Sequence, residues 1–172
     1  MFRNNEGYGQ DRSHYKVGMA CLSGHPITGD AEGSARASEF CEECGERTIT
    51  ECPHCHAKIR GKLYVPNVVS FSNYKPAAYC YSCGKPYPWT EKKLKAAVEY
   101  ASLLDELTEA EKKEIEDDVR ALTRDTPEGK VAALRFSKKM KKVGVQAAAV
   151  FRDILVDVLS EAAKKAIWPD SK

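Results

Sequence analysis

Two kinds of hydrophobic patterning divide this chain. From about residue 90 onward apolar residues recur every three or four positions, whereas before it they come in short runs broken by Gly, Pro and Cys. Leu94, Ala97, Val98, Ala101 and Leu104 fall at helical spacing, with Thr90 placed to cap the first turn. Thr108 and Glu111 have the spacing of a capping box, and Ile115, Val119 and Leu122 make the stripe behind it. Thr126 followed by Pro127 predicts the start of a third helix, carrying Val131, Leu134, Phe136 and Met140. Gly144 should break or bend the chain before a last helix of about residues 145 to 167. That helix has a broad apolar face: Ala147, Val150, Phe151, Ile154, Leu155, Val158, Leu159 and Ala162.

The first half reads differently. Val17–Ala20, Thr48–Thr50 and Lys62–Val65 suit short strands, and Pro66 closes the last of these, with Val68–Phe71 as its expected partner. Ile27–Ser38 has loop composition. Residues 1–16 show no periodicity and are expected to be disordered or loosely attached. The pattern therefore predicts an α+β chain with a small strand-bearing module at residues 17–89 and a region of three or four helices at residues 90–168.

Cysteine spacing changes the picture of the first half most. Cys41/Cys44, Cys52/Cys55 and Cys80/Cys83 are Cys-x-x-Cys pairs, and Cys21-Leu-Ser-Gly-His25 supplies one more thiol and an imidazole. All seven cysteines are thereby used, and with His25 they make eight candidate metal ligands, enough for two four-coordinate Zn²⁺ ions. Two residues between thiolates let one tight knuckle aim both sulfurs at one ion. Gly45 and Gly84 follow the second cysteine of their pairs, where such a knuckle calls for positive φ. Disulfides fit poorly, because seven cysteines leave one over and the polar N-terminal stretch lacks the apolar run of a secretory leader. Reduced thiols make the cytoplasm the expected compartment.

Three ways of sharing the ligands are open: sequential, alternating, or Cys41/Cys44 with Cys52/Cys55. The single short strand expected at Thr48–Thr50 favours the sequential one, since one strand can link adjacent sites but cannot by itself form a hairpin between two knuckles of one site. His54 and His56 read as exposed knuckle residues rather than ligands.

Charge is abundant but balanced, with 27 basic and 25 acidic residues and a net charge of +2. Its distribution is uneven. Cys52–Thr90 contains no Asp or Glu, yet holds Lys58, Arg60, Lys62, Lys75 and Lys85 among seven aromatic residues: Tyr64, Phe71, Tyr74, Tyr79, Tyr81, Tyr87 and Trp89. Those five cations are candidate nucleic-acid contacts, with the aromatics as stacking platforms. The alternative is an aromatic shell packed around the metal module, facing a protein partner. No apolar run is long enough to span a bilayer; Val143–Phe151 has nine residues and includes Gln146. There is no phosphate-binding glycine loop or nucleophile elbow, and closed Cys/His sets leave no ligand position for water. No catalytic residue and no small-molecule substrate is therefore expected.

The motifs Cys21-Leu-Ser-Gly-His25-Pro-Ile-Thr, Phe40 through Cys55, Ile59-Arg60-Gly61 and Tyr79 through Thr90 resemble a family of small bacterial proteins catalogued as a domain of unknown function with zinc-ribbon character. The resemblance covers roughly residues 17–91 with specific motifs and is looser over the helical half. It implies a bacterial source and metal binding at the eight positions named above, and it implies no activity. Together these readings lead to the expectation of a non-catalytic, zinc-binding adaptor acting through a protein partner or self-association. Nucleic-acid binding by residues 52–90 is the first alternative. Membrane-surface binding by the last helix, with Lys164, Lys165 and Lys138–Lys142 at the headgroups, is the second.

Overall fold

The computed structural model describes residues 12–69 and 72–169. The chain divides into two compact units between Lys85 and Pro86.

The first unit is built from very short antiparallel strands. β1 (His14–Val17) pairs with β5 (Arg60–Tyr64), with Tyr15 opposite Leu63 and His14 opposite Tyr64. The register shifts between Tyr15 and Val17, so that Val17 lies opposite Arg60. β2 (Met19–Cys21) runs between β3 (Pro26–Thr28) and β4 (Thr48–Ile49) in a second, three-stranded sheet. The strands cross closely at Gly61: a Cβ there would lie 2.2 Å from the carbonyl oxygen of Gly29. Only a residue without a side chain allows Lys62 N–H to donate to that carbonyl at 2.8 Å.

Several expectations are corrected here. His14–Lys16 are not loose but belong to β1; residues 1–11 lie outside the described ones. The partner of β5 is β1 rather than Val68–Phe71. Val68 and Val69 form no strand and are exposed, and residues 70 and 71 lie outside the described ones. Alternation within a single segment gave no hint of a pairing across more than forty residues of chain. The segment expected to be loop at Ile27–Ser38 begins with β3, which the pairing to β2 stabilises although Pro26 opens it.

The second unit is helical: α1 (Pro88–Ser102), α2 (Glu109–Leu122), α3 (Pro127–Leu155) and α4 (Glu161–Ile167). α1 starts three residues earlier than expected. Tyr87 is its N-cap and Pro88 its first residue, a position where the missing N–H costs nothing, while Thr90 is fully buried inside the first turn. The capping box of α2 is present, and Thr126 caps α3 by accepting from Gly129 N–H. Gly144 breaks the regular path of α3 with φ 86°.

The last helix also departs from the sequence pattern. Apolar spacing runs through residues 145–167, but the helix stops at Leu155 and restarts at Glu161 with Ser160 as cap. Val158 and Leu159 are buried from the turn between them. Most of the broad face is covered by its own unit, though Val150 stays 39% exposed: Phe151 is fully buried, edge-on to Phe136 and Tyr100 with ring centres 5.4 and 5.0 Å away. Ile115, Leu122, Phe136 and Leu155 complete a core with 0% exposure.

Polar groups tie α2 to α3. Asp118, 1% exposed, accepts hydrogen bonds from Arg135 and, at 3.3 Å, from the buried Lys139 ammonium, which also meets Glu114 at 2.8 Å. Among the described residues no helix is long and apolar enough to cross a membrane.

Candidate metal centres

Three turns of the first unit repeat one geometry. In the first, Cys41 N–H donates to the Glu46 carbonyl at 2.9 Å and Gly45 N–H to the Cys41 carbonyl at 2.8 Å. Cys52 repeats both bonds with Ala57 and His56, and Cys80 with Lys85 and Gly84, all at 2.9 Å. This closes each Cys-x-x-Cys into a knuckle that points both sulfurs the same way. The residue after the second cysteine is left-handed in every case: Gly45 at φ 70°, His56 at 59° and Gly84 at 68°. Two of the three knuckles meet this demand with glycine, and the middle one places a histidine under strain. The fourth turn is different. Cys21 ends β2, Gly24 N–H donates to its carbonyl at 2.9 Å, and β3 follows directly after His25.

The eight residues singled out from the sequence come together as two groups: Cys21, His25, Cys41 and Cys44, and Cys52, Cys55, Cys80 and Cys83. These are the sequential sets. Within each, the ligand atoms lie within 4.8 Å of one another, so each group can hold one metal ion. β4 runs from the first group to the second, the linking role that its single short segment implied.

In the first group Cys21 Sγ lies 3.7 Å from Cys44 Sγ, and Cys41 Sγ lies 3.5 Å from His25 Nδ1. In the second, Cys52 pairs with Cys83 at 3.8 Å and Cys55 with Cys80 at 3.7 Å. A disulfide needs its sulfurs about 2.05 Å apart, so none of these pairs is one. Backbone amides aim at the sulfurs: His25 N–H at Cys21 Sγ, 3.3 Å, and Ser82 N–H at Cys80 Sγ, 3.4 Å.

Those amides favour thiolates, the form that binds metal. Burial pushes the Cys80 thiol up, but the amides of Cys83 and Ser82 and the neighbouring thiols of Cys52 and Cys55 together bring it down to about 6. The Lys85 amide pulls Cys83 down, yet burial and the thiols of Cys55, Cys80 and Cys52 leave it at about 11. In the first group burial raises Cys21, whereas the Glu46 amide lowers Cys44. In the second group the thiolate form is thus favoured first at Cys80.

His25 presents Nδ1 to the cluster and turns Nε2 toward the Glu43 carboxylate at 3.7 Å. A carboxylate behind a ligating imidazole fixes the ring and raises its basicity. Sequence reasoning missed Glu43; its place inside Cys41-Glu-Glu-Cys44 was the available signal. His54 and His56 are exposed and belong to neither group.

The five candidate nucleic-acid contacts differ in their surroundings. Lys58 donates to Glu51 at 2.7 Å, and Lys62 lies over Gly29. Lys75 and Lys85 are exposed. Arg60 is exposed and lies over two aromatic rings, Tyr15 at 4.9 Å and Tyr81 at 3.8 Å. Of the aromatics, Tyr87 and Trp89 are buried in the second unit, stacked on each other at 4.6 Å. Tyr15 was missed because it lies in the stretch expected to be loose.

No curated protein and no solved structure matches this chain. A family match, in contrast, spans both units, reaching well beyond the residues whose motifs carried the resemblance. Over residues 14–167 the chain belongs to the family described as "Uncharacterized protein conserved in bacteria (DUF2321)".

Proposed function

We propose that the chain is a zinc protein without a catalytic centre, whose metal-held first unit serves as the recognition module of an adaptor. The observation that carries this is the closed geometry of the two ligand groups. An ion about 2.3 Å from each of two thiolates at the tetrahedral angle sets the sulfurs about 3.8 Å apart, and a thiolate and an imidazole about 3.5 Å apart. The distances of 3.7, 3.8 and 3.5 Å fall on those values. Three thiolates and an imidazole in one group, and four thiolates in the other, satisfy a tetrahedral dication and leave no position for a substrate or a reactive water. Such sites hold structure rather than perform chemistry.

The adaptor's binding surface belongs to the first unit on this reading. Supporting this, Phe151, Leu155, Val158 and Leu159 of the C-terminal apolar face, which prompted the ideas of self-association and membrane-surface attachment, are buried within their own unit. Reduced cysteines suit a reducing compartment, and the cytoplasm is the one we assign.

Elemental analysis of the purified chain tests the metal. Two zinc ions per chain are expected; iron in their place, or a fully folded first unit with no metal, overturns the reading.

A further inference from the structure

β1 and β5 make a two-stranded ribbon with an unusual charge pattern. Residues 12–17 and 58–65 hold Arg12, Lys16, Lys58, Arg60 and Lys62 and not one carboxylate. Two of these cations are neutralised from outside the ribbon, Lys16 by Asp30 at 2.5 Å and Lys58 by Glu51 at 2.7 Å. Arg60 is not. Among the described residues its side chain has no carboxylate and no hydrogen-bond acceptor as partner; its contacts are the rings of Tyr15 and Tyr81.

A guanidinium lying on aromatic faces keeps its five N–H donors at the edge, directed outward and fixed in a plane. It is therefore a preorganised receptor for an anionic oxygen. Both tyrosines are 52% exposed, so each ring retains open surface beside that receptor. Tyr81 also sits between the candidate ligands Cys80 and Cys83. Cation and rings thus form one exposed group beside the second candidate metal centre.

We propose that this face of the ribbon binds single-stranded nucleic acid, with unpaired bases stacking on Tyr15 and Tyr81 and a phosphate meeting Arg60. Single strands are the occupant that uses every part of the group. Their bases are free to lie on a ring, and the phosphate between them supplies the missing acceptor. A duplex hides its base faces, and an acidic peptide engages the guanidinium but leaves both rings idle. The inference rests on reading the first unit as a recognition module, and it names that module's partner.

The test is fluorescence anisotropy of labelled thymidine and uridine homopolymers about ten nucleotides long, using the full chain with its metal content measured first. Saturable binding is expected at low salt. Its salt dependence should be shallow, about −0.7 in log–log slope for each phosphate held, and Arg60→Ala should remove about that much of the slope. Tyr15→Ala and Tyr81→Ala should each weaken binding about fivefold or more, while Tyr15→Phe and Tyr81→Phe retain it. Lys130→Ala and Lys141→Ala, exposed positions of the second unit, should leave it unchanged. No binding by protein holding two zinc ions overturns this inference while sparing the metal reading. Undiminished binding by Arg60→Ala overturns it, as does displacement of the oligonucleotide by polyglutamate as effectively as by unlabelled strand.

Discussion

The two units solve the same problem by opposite means. The second has a core of Ile115, Leu122, Phe136, Phe151 and Leu155, each 0% exposed, and helices closed by capping residues. The first has strands of two to five residues, and four of its buried apolar residues are cysteines: Cys21, Cys41, Cys52 and Cys80. Apolar burial supports one unit; in the other the interior is largely ligand. The difference teaches that a chain need not be uniformly stabilised to be uniformly folded, and that the same perturbation should act on the halves unequally.

The largest expected effect breaks the comparison at its metal side. Cys52→Ser should lower the metal content from two ions to one and remove free energy on the order of 10 kcal/mol from the first unit. Helical circular dichroism and the helical melting transition should stay nearly unchanged. Loss of the helical signal together with the metal would mean that the second unit depends on the first.

The converse change acts only on the helices. Asp118→Ala leaves the buried Lys139 with Glu114 alone as its counter-charge, and should cost the second unit about 3 kcal/mol. Metal content is expected to stay constant, and pairing Asp118→Leu with Lys139→Met should restore much of the loss. Thermal unfolding followed at the helical band, with elemental analysis of the same sample, checks both.

A smaller effect concerns pH. Lys142, with the Thr108 amide and hydroxyl, holds the Glu111 carboxyl down at about 2. A depressed carboxylate contributes its full stabilisation above the unfolded value, about 4.3, and loses it as pH falls toward 2. Helical stability should therefore decline over that window, and Glu111→Gln should flatten the decline. An unaltered pH profile in the variant would contradict the capping-box and Lys142 contacts as the source.

The smallest effect sharpens the account of the knuckles. His56→Gly relieves a left-handed residue and should stabilise the metal-bound first unit by about 1 kcal/mol. The reverse change, Gly84→Ala, should destabilise it by a similar amount. Metal retention against a competing chelator resolves the two.

What was legible in the sequence follows the same division. The ligand sets and their knuckles were readable because Cys-x-x-Cys is a local device: two residues fix two sulfurs. Helix starts were readable where a cap and its partner lie three residues apart, as with Thr108 and Glu111. Apolar periodicity alone could not reveal the stop at Leu155, since Val158 and Leu159 are buried whether or not they are helical. Ser160 was the overlooked signal. The pairing of β1 with β5 lay beyond reach because neither strand is long enough to show alternation, and more than forty residues of chain separate them. With it went the meeting of Tyr15, Arg60 and Tyr81, a site assembled from three separate stretches of chain.

Hydrogen exchange read by mass spectrometry, with and without a strong chelator, tests the central claim most directly. The account predicts that metal removal strips protection from β1 through β5 while the amides of α2 and α3 exchange as slowly as before. Retained protection in the strands, or its loss in both units together, would contradict a chain folded half by metal and half by its apolar core.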